Sequence, residues 1–178
     1  MENLNFEINK NRLEESFELI ANKIFNEMLL VCGKEQYRIT EIEFYYYDRH
    51  VHPDPYTHKH PFQLKNKKWY FHPSGLDITL GNGSSYCGIL LRGIIRTRDL
   101  EEIYGPLNLV SELFKNIEVL NNHKLQFGFL KSNLDKKDIT RARRIGIKKE
   151  KSENYYNKNY RYLIYPEKKH KNKFDYQK

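Results

Sequence analysis

The chain is poor in the residues that build stapled or metal-clasped scaffolds. Two cysteines, Cys32 and Cys87, stand in 178 residues without close pairing, which argues against a disulfide framework and a cysteine-built zinc site. A reducing, cytoplasmic interior is the expectation. Long apolar runs are also missing, since no stretch approaches the roughly 18 residues of a membrane span. The start, Met1 to Lys10, is polar and mixed in charge, unlike an export signal. No internal repeat is visible. Acidic residues are the scarcer charge, 23 against 31 basic ones, for a formal charge of +8. That balance favours a polyanionic partner, although much of the excess sits in a terminal run, Lys168, Lys169, Lys171, Lys173 and Lys178.

Aromatics, at 14%, and a 39% hydrophobic share are plentiful enough for one core. From Asn11 to about Val31, Leu13, Phe17, Ile20, Ile24, Phe25 and Met28 recur at steps of three and four, predicting an amphipathic helix that Gly33 stops. Tyr37 to Tyr47 then alternates as a strand. One face carries Ile42, Phe44 and Tyr46, and the other Glu41, Glu43, Tyr45 and Tyr47. Two carboxylates and two phenols on one strand face make that face a candidate site. His50 to Asn66 reads as a long loop punctuated by Pro53, Pro55 and Pro61.

Three strands follow, near Trp69–His72, Leu76–Leu80 and Tyr86–Arg96, with Asn82-Gly83 as a turn. Gly105-Pro106 opens a second helix reaching about Asn121, with Leu109, Val110, Leu113, Phe114 and Ile117 as its buried side. A short apolar patch, Leu125 to Leu130, a charged segment and a final strand, Tyr160 to Tyr165, complete the order.

A carboxylate such as Glu43 can deprotonate water and steady a positively charged sugar. Flat side chains, Tyr45, Tyr47, Trp69, Tyr70 and Phe71, can hold a base by stacking. Arg92 has two readings, a grip on phosphate or an ion pair with Glu41 or Glu43 across the sheet.

The run Arg38-Ile39-Thr40-Glu41-Ile42-Glu43-Phe44-Tyr45 resembles the signature strand of the alkyladenine (3-methyladenine) DNA glycosylase family, with Glu43 on the family's catalytic glutamate. Cys87-Gly88-Ile89-Leu90-Leu91-Arg92 resembles the strand that ends in a DNA-contacting arginine. Gly105-Pro106, Arg143-Arg144-Ile145-Gly146-Ile147 and Tyr160 to Tyr165 match further family segments in the same order. The resemblance implies a single α+β domain, a curved antiparallel sheet flanked by helices, over residues 1–166 with a basic tail at 167–178. It implies a monomeric enzyme that flips an alkylated or deaminated purine from double-stranded DNA. Glu43-activated water then hydrolyses the N-glycosidic bond. No lysine stands at the nucleophile's place, so the strand stays uncut, and no cofactor is needed. Tyr45, either His58 or His60, either Tyr70 or Phe71, and Thr79 in place of the family's asparagine would contact the base. Arg92, aided by Arg96, Arg141, Arg143 and Arg144, would contact the DNA.

Two rival readings remain. His50, His52, His58, His60 and His72 crowd one stretch, and His50-Val51-His52-Pro53-Asp54 resembles the metal loop of metallo-β-lactamase-like hydrolases. Pro55 stands where that family needs another histidine. The other rival is a basic nucleic-acid-binding domain without catalysis.

Overall fold

The first helix is shorter than its apolar stripe. In the computed structural model, which describes residues 6–117 and 125–167, helix α1 covers Leu13–Asn26, and the apolar run after Glu27 is strand β1, Met28–Cys32. A continuous apolar run does not distinguish helix from buried strand by periodicity. Here β1 gains ladders on both edges, to β2 and β8, which a continued helix would forfeit. Gly33, at φ 61°, makes the reversal into β2.

The remaining elements are β2 (Glu35–Asp48), β3 (His52–Pro53), β4 (Asn66–His72), β5 (Gly75–Leu80), β6 (Tyr86–Arg96), β7 (Glu102–Tyr104), α2 (Pro106–Phe114), β8 (Phe127–Lys131), β9 (Thr140–Ala142), α3 (Glu153–Tyr156) and β10 (Arg161–Leu163). Helix α2 stops at Phe114, where a helix to about Asn121 was expected; Asn121 lies outside the described residues. Only Leu109 and Leu113 of its expected buried side are fully covered, while Phe114 and Ile117 are exposed. The basic tail, from Lys168 onward, is likewise outside the described residues.

Every strand pairing is antiparallel, and the sheet's main path runs β4-β5-β6-β2-β1-β8. Strand β2 organises it. Its fourteen residues pair with β6 along one edge, while β1, β10 and β3 share the other edge in succession. Trp69 of β4 packs on Phe127 and Phe129 of β8 at 4.7 and 5.4 Å. Side chains from opposite ends of the path therefore touch, and the sheet is curled into a half-barrel. This is an α+β fold with few helices. Among the described residues no helix is long and apolar enough to cross a membrane.

The two faces of β2 go to different surroundings, as its alternation predicts. Phe17 of α1 stacks on Phe44 at 4.1 Å, and Ile42, Phe44 and Tyr46 join the apolar core. Glu41 and Glu43 point the other way, toward Arg92 of β6. The β2–β6 register slips on either side of Glu41, opposite Gly93. A β-carbon at Gly93 would lie 2.7 Å from the Thr40 hydroxyl and 3.1 Å from Glu41 Cβ. The irregularity thus needs glycine at that crossing.

Candidate functional site

Burying an ionised side chain is costly unless its charge and hydrogen bonds are matched. The polar face of β2 meets that requirement with a dense network. Arg92 Nε lies 3.0 Å from Glu41 Oε1 and 3.3 Å from Glu43 Oε1, and Arg161 reaches Glu41 at 3.2 Å. Glu43 is fully buried. Its Oε1 accepts the Ile145 amide at 2.7 Å, and its Oε2 accepts the Tyr45 hydroxyl at 2.8 Å and Arg92 Nη1 at 3.4 Å.

Burial pushes the Glu43 carboxyl above its ordinary value. The charge of Arg92, the Ile145 amide and the Tyr45 hydroxyl pull it back without overcoming burial, and the charge of Glu41 adds to the rise. Burial and the adjoining Glu43 charge push the Tyr45 phenol well up, so it remains a donor. Beside Tyr45, Arg144 is enclosed: it pairs with Asp54 at 2.6 Å, donates to the carbonyls of Phe44 and Tyr155, and lies 4.7 Å from the Tyr45 ring centre. That clamp ties the histidine-bearing loop and the 143–147 segment to β2.

A cavity of about 690 Å³ opens over this network. Tyr45, Arg92 and Ile145 line it, and Glu43 lies immediately behind them. Tyr56, His58, His72, Gln63, Asp77, Lys148 and Lys151 also line it. The volume is that of a small-molecule or single-nucleotide pocket.

Of the two loop histidines, His58 lines the cavity, edge-on to His72 at 4.9 Å, and burial followed by His72's charge holds its imidazole below the usual value. His60 instead stacks outside on Tyr70 at 4.6 Å and caps the Pro61–Leu64 turn through the Phe62 amide. Tyr70 stacks in turn on His72 at 4.9 Å, so it reaches the site through that ring. Phe71 points to the opposite side of β4, against Phe114 and Phe127, because adjacent strand residues face opposite ways. Trp69 shares that destination.

Several expected contacts are relocated. Thr79 is wholly buried, and its hydroxyl accepts the Lys68 amide, so it does not line the cavity. Asp77, two residues earlier on the same face, does. Arg92 is an internal ion-pair partner, 6% exposed at its side chain, and not a surface phosphate contact. Arg144 is fully enclosed, Arg96 pairs with Glu112, Asp99 and Glu101, and Arg141 pairs with Glu14 and Glu18. Arg143 alone of the five is exposed, over the Tyr156 ring. An arginine's charge does not reveal whether its partner is a ligand or a carboxylate folded against it.

Gln63 and Asp77 also line the cavity, and no sequence motif marks them. An acid inside the apolar run Leu76-Asp77-Ile78 was the available signal, since such a residue needs a buried partner.

The metal-loop resemblance does not assemble a cluster. His52 bonds the Tyr46 carbonyl and the Tyr160 hydroxyl, Asp54 is spent on Arg144, and His50 is exposed. Among the described residues no three histidine, cysteine or acidic side chains gather as a metal site.

No family model matches this chain. It is similar to a protein of Acanthamoeba polyphaga mimivirus, "Uncharacterized protein L759", with 33% identity over 139 residues. The match takes in 65% of this chain and 64% of that relative, so the chain spans just under two thirds of the relative's length.

Proposed function

We propose that this chain is a monofunctional DNA glycosylase that draws a modified base into the cavity and hydrolyses its N-glycosidic bond. The observation that carries the reading is Glu43, a buried carboxylate with a raised pKa, held against three residues that line a base-sized cavity. Such a carboxylate suits a general base better than a solvated one.

Its Ile145 and Tyr45 bonds are short, and its Arg92 contacts, at 3.3 and 3.4 Å, are the long ones. A water entering beside Arg92 would take up the weakly used lone pair. As the C1′–N bond breaks, that water adds to C1′ and gives a proton to Glu43, whose negative charge steadies the cationic sugar. The base leaves with the electron pair of the broken bond. Tyr45, Tyr56, His58 and His72 supply flat or polar surface for the flipped base. Lys148 and Lys151 at the cavity, with exposed Arg143, are the proposed phosphate contacts.

A second reading, binding without catalysis, draws on the complete burial of Glu43, which also suits a purely architectural anion. Glu43→Gln separates the two. Duplexes each carrying one modified base would be screened for release, and the variant should lose about 10² to 10⁴ in rate on the accepted lesion while still binding DNA. Near wild-type release by a folded variant would remove Glu43 from the chemistry. No release of any lesion by the wild-type chain would favour the binding module.

A further inference from the structure

The stretch between Asp54 and Asp77 holds no acidic residue, and its cations, Lys59, Lys65, Lys67 and Lys68, are all exposed. The two acids that bound it are buried and spent, Asp54 on Arg144 and Asp77 on His72 and Gln63. Among the described residues no carboxylate lies within ion-pair reach of these lysines, whereas Arg92, Arg96, Arg141 and Arg144 each have a carboxylate partner. Their charge is therefore open to a partner. Lys59 is also held at φ 54°, in the left-handed region that glycine and asparagine enter more easily. A lysine kept there against backbone preference is the kind of local strain that gathers at functional sites.

Flat rings lie among these cations. His60, Phe62 and Tyr70 are parallel to within 11° and 4.6 to 5.7 Å apart, and Tyr70 carries the stack to His72 in the cavity wall at 4.9 Å. Lys68 stands two residues before Tyr70 and so shares its face of β4. Phe62 is 41% exposed. Lys65 Nζ rests over the Phe62 ring and Lys59 Nζ over the Tyr47 ring, each 4.7 Å from the ring centre. An ammonium over an exposed ring is held weakly, and a stacked nucleobase is held more strongly. A base can thus take the ring face while the displaced lysine turns to the adjoining phosphate.

We propose that this face binds a single DNA strand, with Lys59, Lys65 and Lys68 on its phosphates and Phe62 and Tyr47 against its bases. Duplex DNA offers phosphates and base edges, whereas a single strand offers phosphates and base faces, the combination that cations beside open rings suit. The choice of DNA rests on the base-pocket reading above: the strand whose base enters the cavity runs on past His72 and across the ring stack.

The test is the affinity of the full chain for a labelled, unmodified oligothymidylate and for the same oligomer paired with its complement, with inorganic polyphosphate as a competitor. At equal salt the single strand should bind about ten-fold or more tightly than the duplex, because only it frees base faces for stacking. Its salt slope should be about −0.7 per phosphate contact, and Lys59→Asn, Lys65→Gln and Lys68→Gln should each flatten it by about that much. Asparagine suits the backbone at position 59, so that variant should keep its fold. Phe62→Leu should weaken single-strand binding about five-fold or more and leave the slope unchanged, with a thermal melt confirming the fold. Equal or tighter binding of the duplex would overturn the proposal. So would displacement by polyphosphate as readily as by unlabelled oligothymidylate, or a slope that the folded lysine variants leave intact. Release of a lesion by a chain that prefers duplex would keep the base pocket and sink this surface; a preferred single strand with no lesion released would do the reverse.

Discussion

Strand β6 carries two buried arginines four residues apart, and they have opposite surroundings. Arg92 faces Glu41 and Glu43, whose side chains are 2% and 0% exposed. Arg96 meets one buried acid, Glu112, and two that reach water, Asp99 and Glu101, at 42% and 57%. The carboxyls respond in opposite senses. Burial pushes Glu43 up and its partners fail to bring it back. Burial also pushes on Glu112, but hydrogen bonds from Arg96, Lys115 and Tyr37 outweigh it and hold the group below its ordinary value. Both arginines are raised: Arg92 by Glu43 and Glu41 against its own burial, Arg96 first by its bond to Glu112. Shared chemistry thus yields a poised acid at the cavity and a relaxed ion pair at the periphery. The full burial of Glu43, with the Glu41 charge beside it, makes the difference.

Removing the cations tests this most severely. Arg92→Met removes the cation that lies against both Glu41 and Glu43, and breaking such a buried pair typically costs about 3–5 kcal/mol. Denaturant melts should show that loss, and base release should fall. Arg96→Met should cost less, since its acids keep water, Lys115 or Tyr37, and release should continue. Equal losses in stability and activity would erase the contrast.

The next test is pH. The folded pKa of Glu43 is raised, so its contribution to stability is present below the ordinary carboxylate value and lost as pH rises through the raised one. Glu112 has a lowered folded pKa, so its contribution is present above the ordinary value and lost as pH falls through the lowered one. Melts from about pH 2 to 8 should give slopes of opposite sign when wild type is compared with Glu43→Gln and with Glu112→Gln, the Glu112 slope lying below the ordinary carboxylate value and the Glu43 slope above it. Base release should have an acid limb above the ordinary glutamate pKa of about 4.3, because the base form of Glu43 is lost on protonation. An acid limb at or below that value would mean burial does not poise the group.

The smallest effect expected is on salt dependence. Each phosphate contact contributes about −0.9 to the slope of log affinity against log salt on B-DNA. Lys148→Ala, Lys151→Ala and Arg143→Ala should each flatten it by about that much, whereas Arg92→Met should leave the slope of the folded fraction unchanged. A flattened slope in Arg92→Met would return Arg92 to the DNA surface.

What could be read along the chain follows from local rules. Alternation assigned the two faces of β2, and the hairpin order β4-β5-β6, with its Asn82-Gly83 turn, follows from strand periodicity and turn chemistry. The singling out of Glu43 and Tyr45 as neighbours also rested on that alternation, and they are joined by a 2.8 Å hydrogen bond.

Where an apolar run had no period, as in β1, the sequence by itself could not choose, because the decision lay with the ladders offered by β2 and β8. Charge was legible in amount but not in partner. Arg92, Arg96, Arg141 and Arg144 look alike in the chain, and only the tertiary fold brings Glu41, Glu112, Glu14 and Asp54 against them, from 16 to 127 positions away. The choice of His58 over His60 and of Asp77 over Thr79 likewise belongs to the tertiary structure. Alternation and turn preference act through neighbouring residues and can be read in order. Burial, ion pairing and the shape of a cavity are set by segments that meet only when the sheet has curled.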